Sequence, residues 1–289
     1  ASLMQLAAYD RSGEQVRALE EKGYYNDFTV SPDGKFAAVN VSDPESGSND
    51  IWIIDLESEV QTRLTFGQEE ELSPAWSPDG AEILYHAFEG NERVLYRKSV
   101  LGGSDKVEVH RSESIQLWPT AWHPDSAFVI CSASDNNLWL VPLDPEREPV
   151  QWTDTDYLER SASFSPDGRW LAYSSDETGR LHAYVTAFPE GGRRWQVSGS
   201  EEGNAPKFDA QHTQILYYGI KLAKVMRAGY EVSGDDLQIL RPEILLDARR
   251  SIKSDVTRDG NRIWMIESLE ESGGLPVKLV LNWRELLRI

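Results

Sequence analysis

A four-residue turn motif recurs six times along the chain at nearly even spacing. Its consensus is Ser-Pro-Asp-Gly, and the copies begin 42 to 48 residues apart. They occupy residues 31–34, 77–80, 123–126, 165–168, 209–212 and 257–260. Repeats of this length with β-type flanks are typical of propellers and related arrays. The sequence must therefore be interpreted as a repeat protein before any single residue is considered.

The chemistry of the motif predicts a β-hairpin. Proline at the second position fixes φ, aspartate at the third can accept bonds from its own backbone, and glycine at the fourth tolerates a positive φ. Short runs rich in β-branched and aromatic residues follow the turns, for example residues 36–39 and 170–173. Such runs favour strands. Each turn therefore predicts two antiparallel strands.

Two further strands are predicted in most repeats. Third strands are expected at residues 50–54, 94–96, 138–141 and 183–185, and weaker fourth strands at 62–65, 107–109, 150–152 and 195–197. Six repeats of four strands predict an all-β fold, a six-bladed β-propeller of four-stranded antiparallel blades. Helix is expected only as one turn near residues 283–287.

The two ends of the chain predict how the ring closes. Residues 6–10 and 15–19 resemble orphan strands, whereas the last repeat, with a strand expected at 277–283, lacks a fourth strand. We expect the N-terminal segment to complete the last blade, because this removes an open sheet edge. Which strand each terminus supplies is left open by the sequence.

The chain length suits one propeller domain, residues 1–289. We see no low-complexity linker and no gap in the repeat. The predicted blades span roughly residues 21–66, 67–112, 113–154, 155–200, 201–248, and 249–289 together with 1–20.

The composition excludes several classes of partner. The formal net charge is -19, from 29 basic and 48 acidic residues, which argues against nucleic acid. An acidic surface for a basic partner and an ordinary solvated exterior are both compatible with this charge. No stretch approaches 18 apolar residues and no signal-peptide pattern opens the chain, so we expect no membrane contact by this segment. The single cysteine, Cys131, excludes an internal disulfide and is expected in the core.

Motifs for catalysis, metals and cofactors are not found. The chain has no nucleophile elbow, no zinc-binding pattern and no phosphate loop, and its five histidines share no ligand spacing. The turn aspartates could suggest calcium, but equivalent positions on different blades keep them apart. They are Asp33, Asp79, Asp125, Asp167 and Asp259. We therefore expect no metal and no cofactor.

The mouth of the central channel is the predicted recognition surface. The innermost strand of each blade runs along the channel, so the residues just ahead of it gather from six blades. Trp118 breaks the column that holds asparagine, leucine, arginine or isoleucine in the other repeats. The candidate binding residues are Tyr25, Asn26, Glu71, Trp118, Arg160, Asn204 and Lys253. A set of merely solvated loop residues is the equally open alternative.

The repeats resemble those of TolB-type propellers. Residues 76–80 and 164–176 are close to that pattern, while the third, fifth and sixth turns depart from it. Residues 8–13 and 279–283 also resemble the propeller module at the C-terminal end of bacterial membrane-anchored serine/threonine kinases. This resemblance implies a scaffold for protein or ligand recognition, and a bacterial, extracytoplasmic location in the periplasm or envelope. A cytoplasmic location stays open.

Two functions from different classes remain. The first is a non-catalytic binding or sensor propeller that recognises a protein partner or small ligand at the channel mouth, as a monomer or as an excised module of a larger protein. The second is a propeller enzyme, a hydrolase or lyase, with carboxylates and histidines from several blades at the same mouth. Convergence of three or more such side chains at the axis would favour the enzyme.

Overall fold

A computed structural model describes residues 2–269 apart from positions 68, 103, 104, 145, 210, 250, 258 and 259. Within these residues the chain forms strands and turns and no helix. No helix long and apolar enough to cross a bilayer occurs there either. The strand expected at 277–283 and the helical turn expected at 283–287 lie outside the described residues.

The strands assemble into six sheets, which we call blades 1 to 6 in chain order of their innermost strand. The chain opens with β1 (Met4–Tyr9) and β2 (Gln15–Gly23). Blade 1 contains β3 (Tyr25–Val30), β4 (Phe36–Ser42), β5 (Asn49–Asp55) and β6 (Gln61–Arg63). Blade 2 contains β7 (Glu71–Trp76), β8 (Glu82–Glu89), β9 (Glu92–Ser99) and β10 (Val107–Ser112). Blade 3 contains β11 (Leu117–Trp122), β12 (Phe128–Ala133), β13 (Leu138–Pro142) and β14 (Val150–Gln151).

Blades 4 to 6 complete the ring, and blade 5 has one additional strand. Blade 4 contains β15 (Glu159–Phe164), β16 (Trp170–Ser175), β17 (His182–Ala187) and β18 (Arg194–Gln196). Blade 5 contains β19 (Gly203–Asp209), β20 (Gln214–Gly219), β21 (Lys224–Ser233), β22 (Asp236–Ile239) and β23 (Glu243–Asp247). Blade 6 begins with β24 (Ser251–Val256) and β25 (Ile263–Ser268). The predicted all-β, six-bladed propeller of antiparallel blades is confirmed.

Blade 5 differs from the four-stranded prediction. Its third strand, β21, pairs with β22 over one half and with β23 over the other, so a hairpin is inserted at the outer edge. The spacing of 48 residues between the fifth and sixth turns is the longest in the chain. The extra length is the sequence signal of this insertion.

The N-terminal segment closes the ring, as predicted. Blade 6 has the strand order β2-β1-β25-β24, so the first two strands of the chain supply its third and fourth strands. In the register of β1 with β25, Leu6 lies opposite Ile266 and Ala8 opposite Trp264. All four side chains are buried in one core cluster with Phe28 of blade 1. Apolar packing therefore continues across the closing blade into the first complete repeat.

A polar clasp ties the same segment to blade 5. Arg11, in the turn between β1 and β2, donates to Asp209 Oδ2 at 2.5 Å and to the Gly260 carbonyl at 2.8 Å. The Asp209 side chain is fully buried and also contacts His212 Nδ1 at 3.0 Å. The fifth turn has lost the Ser-Pro-Asp-Gly sequence, and its first residue instead anchors the closing hairpin.

The intact turns share one hydrogen-bond pattern. In the second turn, the Ser77 hydroxyl donates to Asp79 Oδ1 at 2.6 Å and accepts from the Glu82 amide at 2.9 Å. The Ala81 amide donates to the same aspartate oxygen, and Gly80 has a φ of +72°. The first and fourth turns repeat these bonds. Serine and aspartate therefore fix the hairpin that leads from the innermost to the second strand.

We predict that Leu6→Ala destabilises the protein by about 2–5 kcal/mol, because it leaves a cavity in the core of the closing blade. Val16→Ala is the matched control, since Val16 lies on β2 but is 50% exposed and should change stability by less than about 0.5 kcal/mol. Urea denaturation measures both free energies of unfolding. Equal effects of the two substitutions would contradict closure through this segment.

We predict that Ser77→Ala lowers the free energy of unfolding by about 1–2 kcal/mol, because two turn hydrogen bonds lose their partner. Ser200 is exposed and makes no hydrogen bond to a residue that the structure describes, so Ser200→Ala serves as the control. Thermal denaturation monitored by circular dichroism compares the two. An unchanged melting temperature in Ser77→Ala would show that the turn bonds are dispensable.

Candidate functional site at the channel mouth

All six innermost strands have an irregularity in their pairing with the second strand, near the mouth of the channel. Each of β3, β7, β11, β15, β19 and β24 shows a register shift against its neighbour. At this position Ser73, Ser161 and Ala205 adopt positive φ values of 55°, 55° and 51°. Bulges of this kind re-aim side chains. Here they set which residues of each innermost strand face the axis.

A cavity of about 530 Å³ opens at this end of the channel. All six blades contribute to its wall at one equivalent position, through Asp27, Ser73, Pro119, Ser161, Ala205 and Lys253. Trp118 and Arg160 line it from the position just before. Blades 3 and 4 supply much of the remainder, including Ser132, Ser134, Asn136 and Leu158. Its volume lies within the range of about 300–1,000 Å³ that is common for ligand sites.

A second cavity of about 290 Å³ opens at the opposite end, among the turns. Its wall includes the apolar residues that precede the turns, such as Trp76 and Trp122. The two cavities share Thr29, Thr120 and Lys207 in their walls. The openings therefore meet at this layer of the channel.

Three of the seven candidate residues lie in the wall of the larger cavity. They are Trp118, Arg160 and Lys253. Asn26 is exposed, and its amide donates to Ser42 Oγ and Asn49 Oδ1 at 2.6 and 3.1 Å. Asn204 is half-buried and does not line the cavity.

The other two candidates are buried inside the blades. Tyr25 is 3% exposed and packs in the core with Leu6 and Phe28. Glu71 is also 3% exposed, and one of its carboxylate oxygens has no hydrogen-bond partner. Burial raises the pKa of Glu71, and the nearby Thr65 hydroxyl offsets only part of this effect. Neither side chain lines the cavity.

Three charged residues of the wall, Asp27, Glu159 and Lys207, were not among the candidates. Asp27 belongs to the cavity, and Lys207 borders both cavities. The sequence did carry a signal for Lys207, because the column just before the large apolar residue is otherwise small, except at Asp255. Charged residues in that column mark side chains that enter the channel.

Lys207 and Asp255 form an ion pair between blades 5 and 6. Lys207 Nζ lies 2.7 Å from Asp255 Oδ1, and the Asp255 side chain is 4% exposed. The Val30 amide and the Thr29 hydroxyl donate to the other carboxylate oxygen at 2.9 and 3.0 Å. Burial alone would raise the pKa of Asp255, but the ammonium and the backbone amides outweigh it and lower the pKa. This carboxylate is therefore ionised and fully occupied.

Lys253 and Asp27 form a second pair, between blades 6 and 1, in direct hydrogen-bond contact. Asp27 also accepts a bond from the Phe28 amide at 2.7 Å. Both lysines of the cavity are therefore paired with carboxylates across a blade boundary.

Arg160 differs from the two lysines. Its side chain makes no hydrogen bond or ion pair with any residue that the structure describes, and its Nε is shielded from solvent. The neighbouring Glu159 carboxylate does not pair with it and lies 3.9 Å from Arg194 Nη1. The two terminal nitrogens of Arg160 are therefore available as hydrogen-bond donors.

Trp118 lines the cavity from blade 3, next to the blade that carries Arg160, and it packs against His86 of blade 2. Its ring meets the His86 ring edge-on, with centroids 6.3 Å apart and planes at 84°. His86 is 1% exposed, and burial lowers its pKa to about 4, so the imidazole is neutral near pH 7. Trp118 itself is half-buried. Part of the indole is thus fixed while part remains accessible.

Metal-binding chemistry is not assembled within the described part of the chain. No group of three or more histidine, cysteine, aspartate or glutamate side chains there is placed to hold an ion. Cys131 is buried in the blade core, as expected, and burial raises the pKa of its thiol.

We predict a pH-dependent gain from Glu159→Gln. The Glu159 side chain is 1% exposed. Burial raises its pKa above the usual 4.5, although the Thr153 hydroxyl and Arg194 offset part of the effect. A raised pKa means that ionisation destabilises the fold as the pH rises through that pKa. The variant should therefore exceed wild type in unfolding free energy near pH 7 and lose this advantage below about pH 4.5.

Urea titrations at several pH values measure this difference. Glu113→Gln is the control, because Glu113 is exposed and its substitution should leave the pH profile unchanged. A Glu159→Gln variant that is less stable than wild type at pH 7 would show that the carboxylate is stabilised by its surroundings.

Comparisons with known proteins agree with this architecture. The family model described as the TolB beta propeller domain matches residues 67–252. The protein TolB homolog of Chlorobium chlorochromatii is 28% identical over 132 residues, which is 45% of this chain and 29% of that protein. The match therefore spans less than a third of the length of that relative.

Solved structures share the fold at low identity. A protein proposed to be TolB from Agrobacterium tumefaciens has a TM-score of 0.68 at 14% identity, over 93% of this chain and 99% of that one. An oligogalacturonate lyase in complex with manganese has a TM-score of 0.58 at 12% identity, over 89% of this chain and 80% of that one. At such identities the likeness concerns the fold alone. Because the family model covers more than half of the chain, the chain belongs to the TolB β-propeller domain family.

Proposed function

We propose that this propeller is a non-catalytic binding or sensor protein that recognises a partner at the mouth of its central channel. The observation that carries the proposal is the cavity of about 530 Å³, which is lined by a half-buried tryptophan and by an arginine that has no ion-pair partner among the described residues. Tryptophan and arginine are the side chains most enriched where a few residues supply most of a binding energy. Trp118 and Arg160 are the proposed anchors, with Lys253 in the same wall.

The surface around the mouth favours a protein over a small ligand. Phe66, in the loop that leads into β7, is 70% exposed, and Tyr157, in the loop that leads into β15, is 42% exposed. Both loops precede an innermost strand, so they lie at the end of the propeller where the cavity opens. The Arg63 guanidinium lies 5.0 Å from the Phe66 ring centroid. Exposed aromatic residues around a pocket are typical of protein interfaces.

The charges of the cavity support binding over acid–base catalysis. Asp27 and Asp255 are each engaged by a lysine. Among the described residues of the wall, this leaves Glu159, 3.9 Å from Arg194, as a single carboxylate without a hydrogen bond, not a pair placed for acid–base catalysis. A hydrolase or lyase acting at this mouth is the alternative, and the likeness to the oligogalacturonate lyase bears on fold only. We further propose a monomer in a bacterial extracytoplasmic compartment, as the TolB resemblance implies.

We predict that Trp118→Ala and Arg160→Ala each weaken partner binding about fivefold or more, because each removes an anchor from the cavity. The partner is captured from a bacterial envelope extract on the immobilised full chain, purified, and titrated by calorimetry. Arg241→Ala is the control, since Arg241 is exposed and does not line the cavity. Wild-type affinity in both anchor variants would place the interface elsewhere on the propeller.

A further inference from the structure

Among the described residues, the wall of the cavity at the channel mouth contains one cation, Arg160, that has no carboxylate partner. Its wall contains Arg160, Lys207 and Lys253 against Asp27 and Glu159. Lys253 is paired with Asp27, and Lys207 is paired with Asp255 just outside this cavity. Glu159 makes no ion pair with Arg160; it lies 3.9 Å from Arg194, whose shorter contact, at 2.5 Å, is with Glu177.

The environment of the Arg160 guanidinium favours binding of an anionic ligand. Arg160 is half-buried, and its Nε is shielded without any acceptor among the described residues. Partial desolvation strengthens the attraction of the two terminal NH₂ groups for an anion, because less water competes with it. The planar guanidinium can hold a carboxylate through two parallel hydrogen bonds.

The rest of the chain limits how acidic the ligand can be. The formal net charge of -19 repels highly anionic molecules at long range. A single carboxylate flanked by uncharged groups meets little of this repulsion and gains the short-range contact with Arg160. Trp118, at the equivalent position of the adjacent blade, offers an apolar surface beside it.

We infer that the cavity binds a peptide segment through one carboxylate, with Arg160 as its anchor and Trp118 as the surface for an adjacent apolar side chain. This inference rests on the proposed function, since it names the chemistry that the partner presents. The carboxylate comes from a glutamate or aspartate side chain or from the end of the partner chain.

Three short peptides separate these sources. They are acetyl-Phe-Glu-Gly-amide, acetyl-Phe-Gln-Gly-amide, and acetyl-Phe-Gln-Gly with a free carboxyl end. Each is titrated into the full chain labelled with ¹⁵N, and the indole N–H signal of Trp118, identified by its loss in Trp118→Phe, reports binding. We expect at least one carboxylate peptide to bind about tenfold or more tightly than the neutral peptide, and added salt to reduce this preference. Preference for the first peptide assigns a side-chain carboxylate, and preference for the third assigns a chain end.

Variants test the anchor. Arg160→Gln should abolish the preference, and Arg160→Lys should retain only part of it because lysine lacks the planar fork. Arg241→Gln changes the net charge equally at an exposed site outside the cavity and should behave as wild type.

Several results would overturn the inference. Equal affinity for all three peptides at the Trp118 signal would refute the carboxylate while leaving the channel mouth as a binding site. A preference that persists in Arg160→Gln would refute the anchor. Absence of binding by all three peptides at millimolar concentration would refute peptide recognition of this kind. The proposed function fails by a different result, which is wild-type partner affinity in Trp118→Ala and Arg160→Ala.

Discussion

The pairing of β1 with β25 is the interaction on which the rest of the molecule depends. Each blade of a propeller is covered by its neighbours, so an incomplete ring would leave a sheet face and a sheet edge exposed. The first two strands of the chain remove both by completing blade 6. Once the ring is closed, six innermost strands surround one axis. The channel and its two mouths exist only because of that closure.

The closing blade also explains where the channel charges lie. Blade 6 is built from two segments that are remote in the chain, and it makes ion pairs with both neighbours. Lys207 of blade 5 meets Asp255 of blade 6, and Lys253 of blade 6 meets Asp27 of blade 1. Asp255 also accepts bonds from Thr29 and the Val30 amide of blade 1. These ion pairs and hydrogen bonds join three consecutive innermost strands on both sides of the blade that combines the two remote segments. The charges of these two ion pairs therefore have a structural role.

The sequence could predict the fold because the turn motif reports its own structure at each copy. Ser77, Asp79 and Gly80 each have a local conformational role, and the same roles recur in the first and fourth turns. The location of the channel mouth could be predicted by the same argument, because the repeat places equivalent loops at one end of the propeller. The inserted hairpin of blade 5 left only a slightly longer repeat spacing as its signal, and that spacing does not show that β21 pairs with two strands, β22 and β23, where the third strand of the other blades pairs with one.

The repeat pattern could not predict the direction in which individual side chains point. Side chains alternate between the faces of a strand, and a bulge shifts this alternation by one residue. Tyr25 and Glu71 lie ahead of the bulge in their strands and are buried, whereas Asp27 lies after it and in the channel wall. An alignment of the repeats does not show the bulge, so it cannot distinguish a buried side chain from one in the channel wall.

The contrast between surface and channel gives Arg160 its significance. A chain with a net charge of -19 is surrounded by negative potential, and its basic residues are largely consumed by neighbouring carboxylates, as the two channel lysines show. Arg160, which faces the cavity without such a partner among the described residues, therefore differs from the two channel lysines. It lies on blade 4, away from the ion pairs of the closing blade. A charged group with no ion-pair partner in the described part of the chain, in the same wall as a half-buried indole, is the arrangement expected where the partner is another molecule.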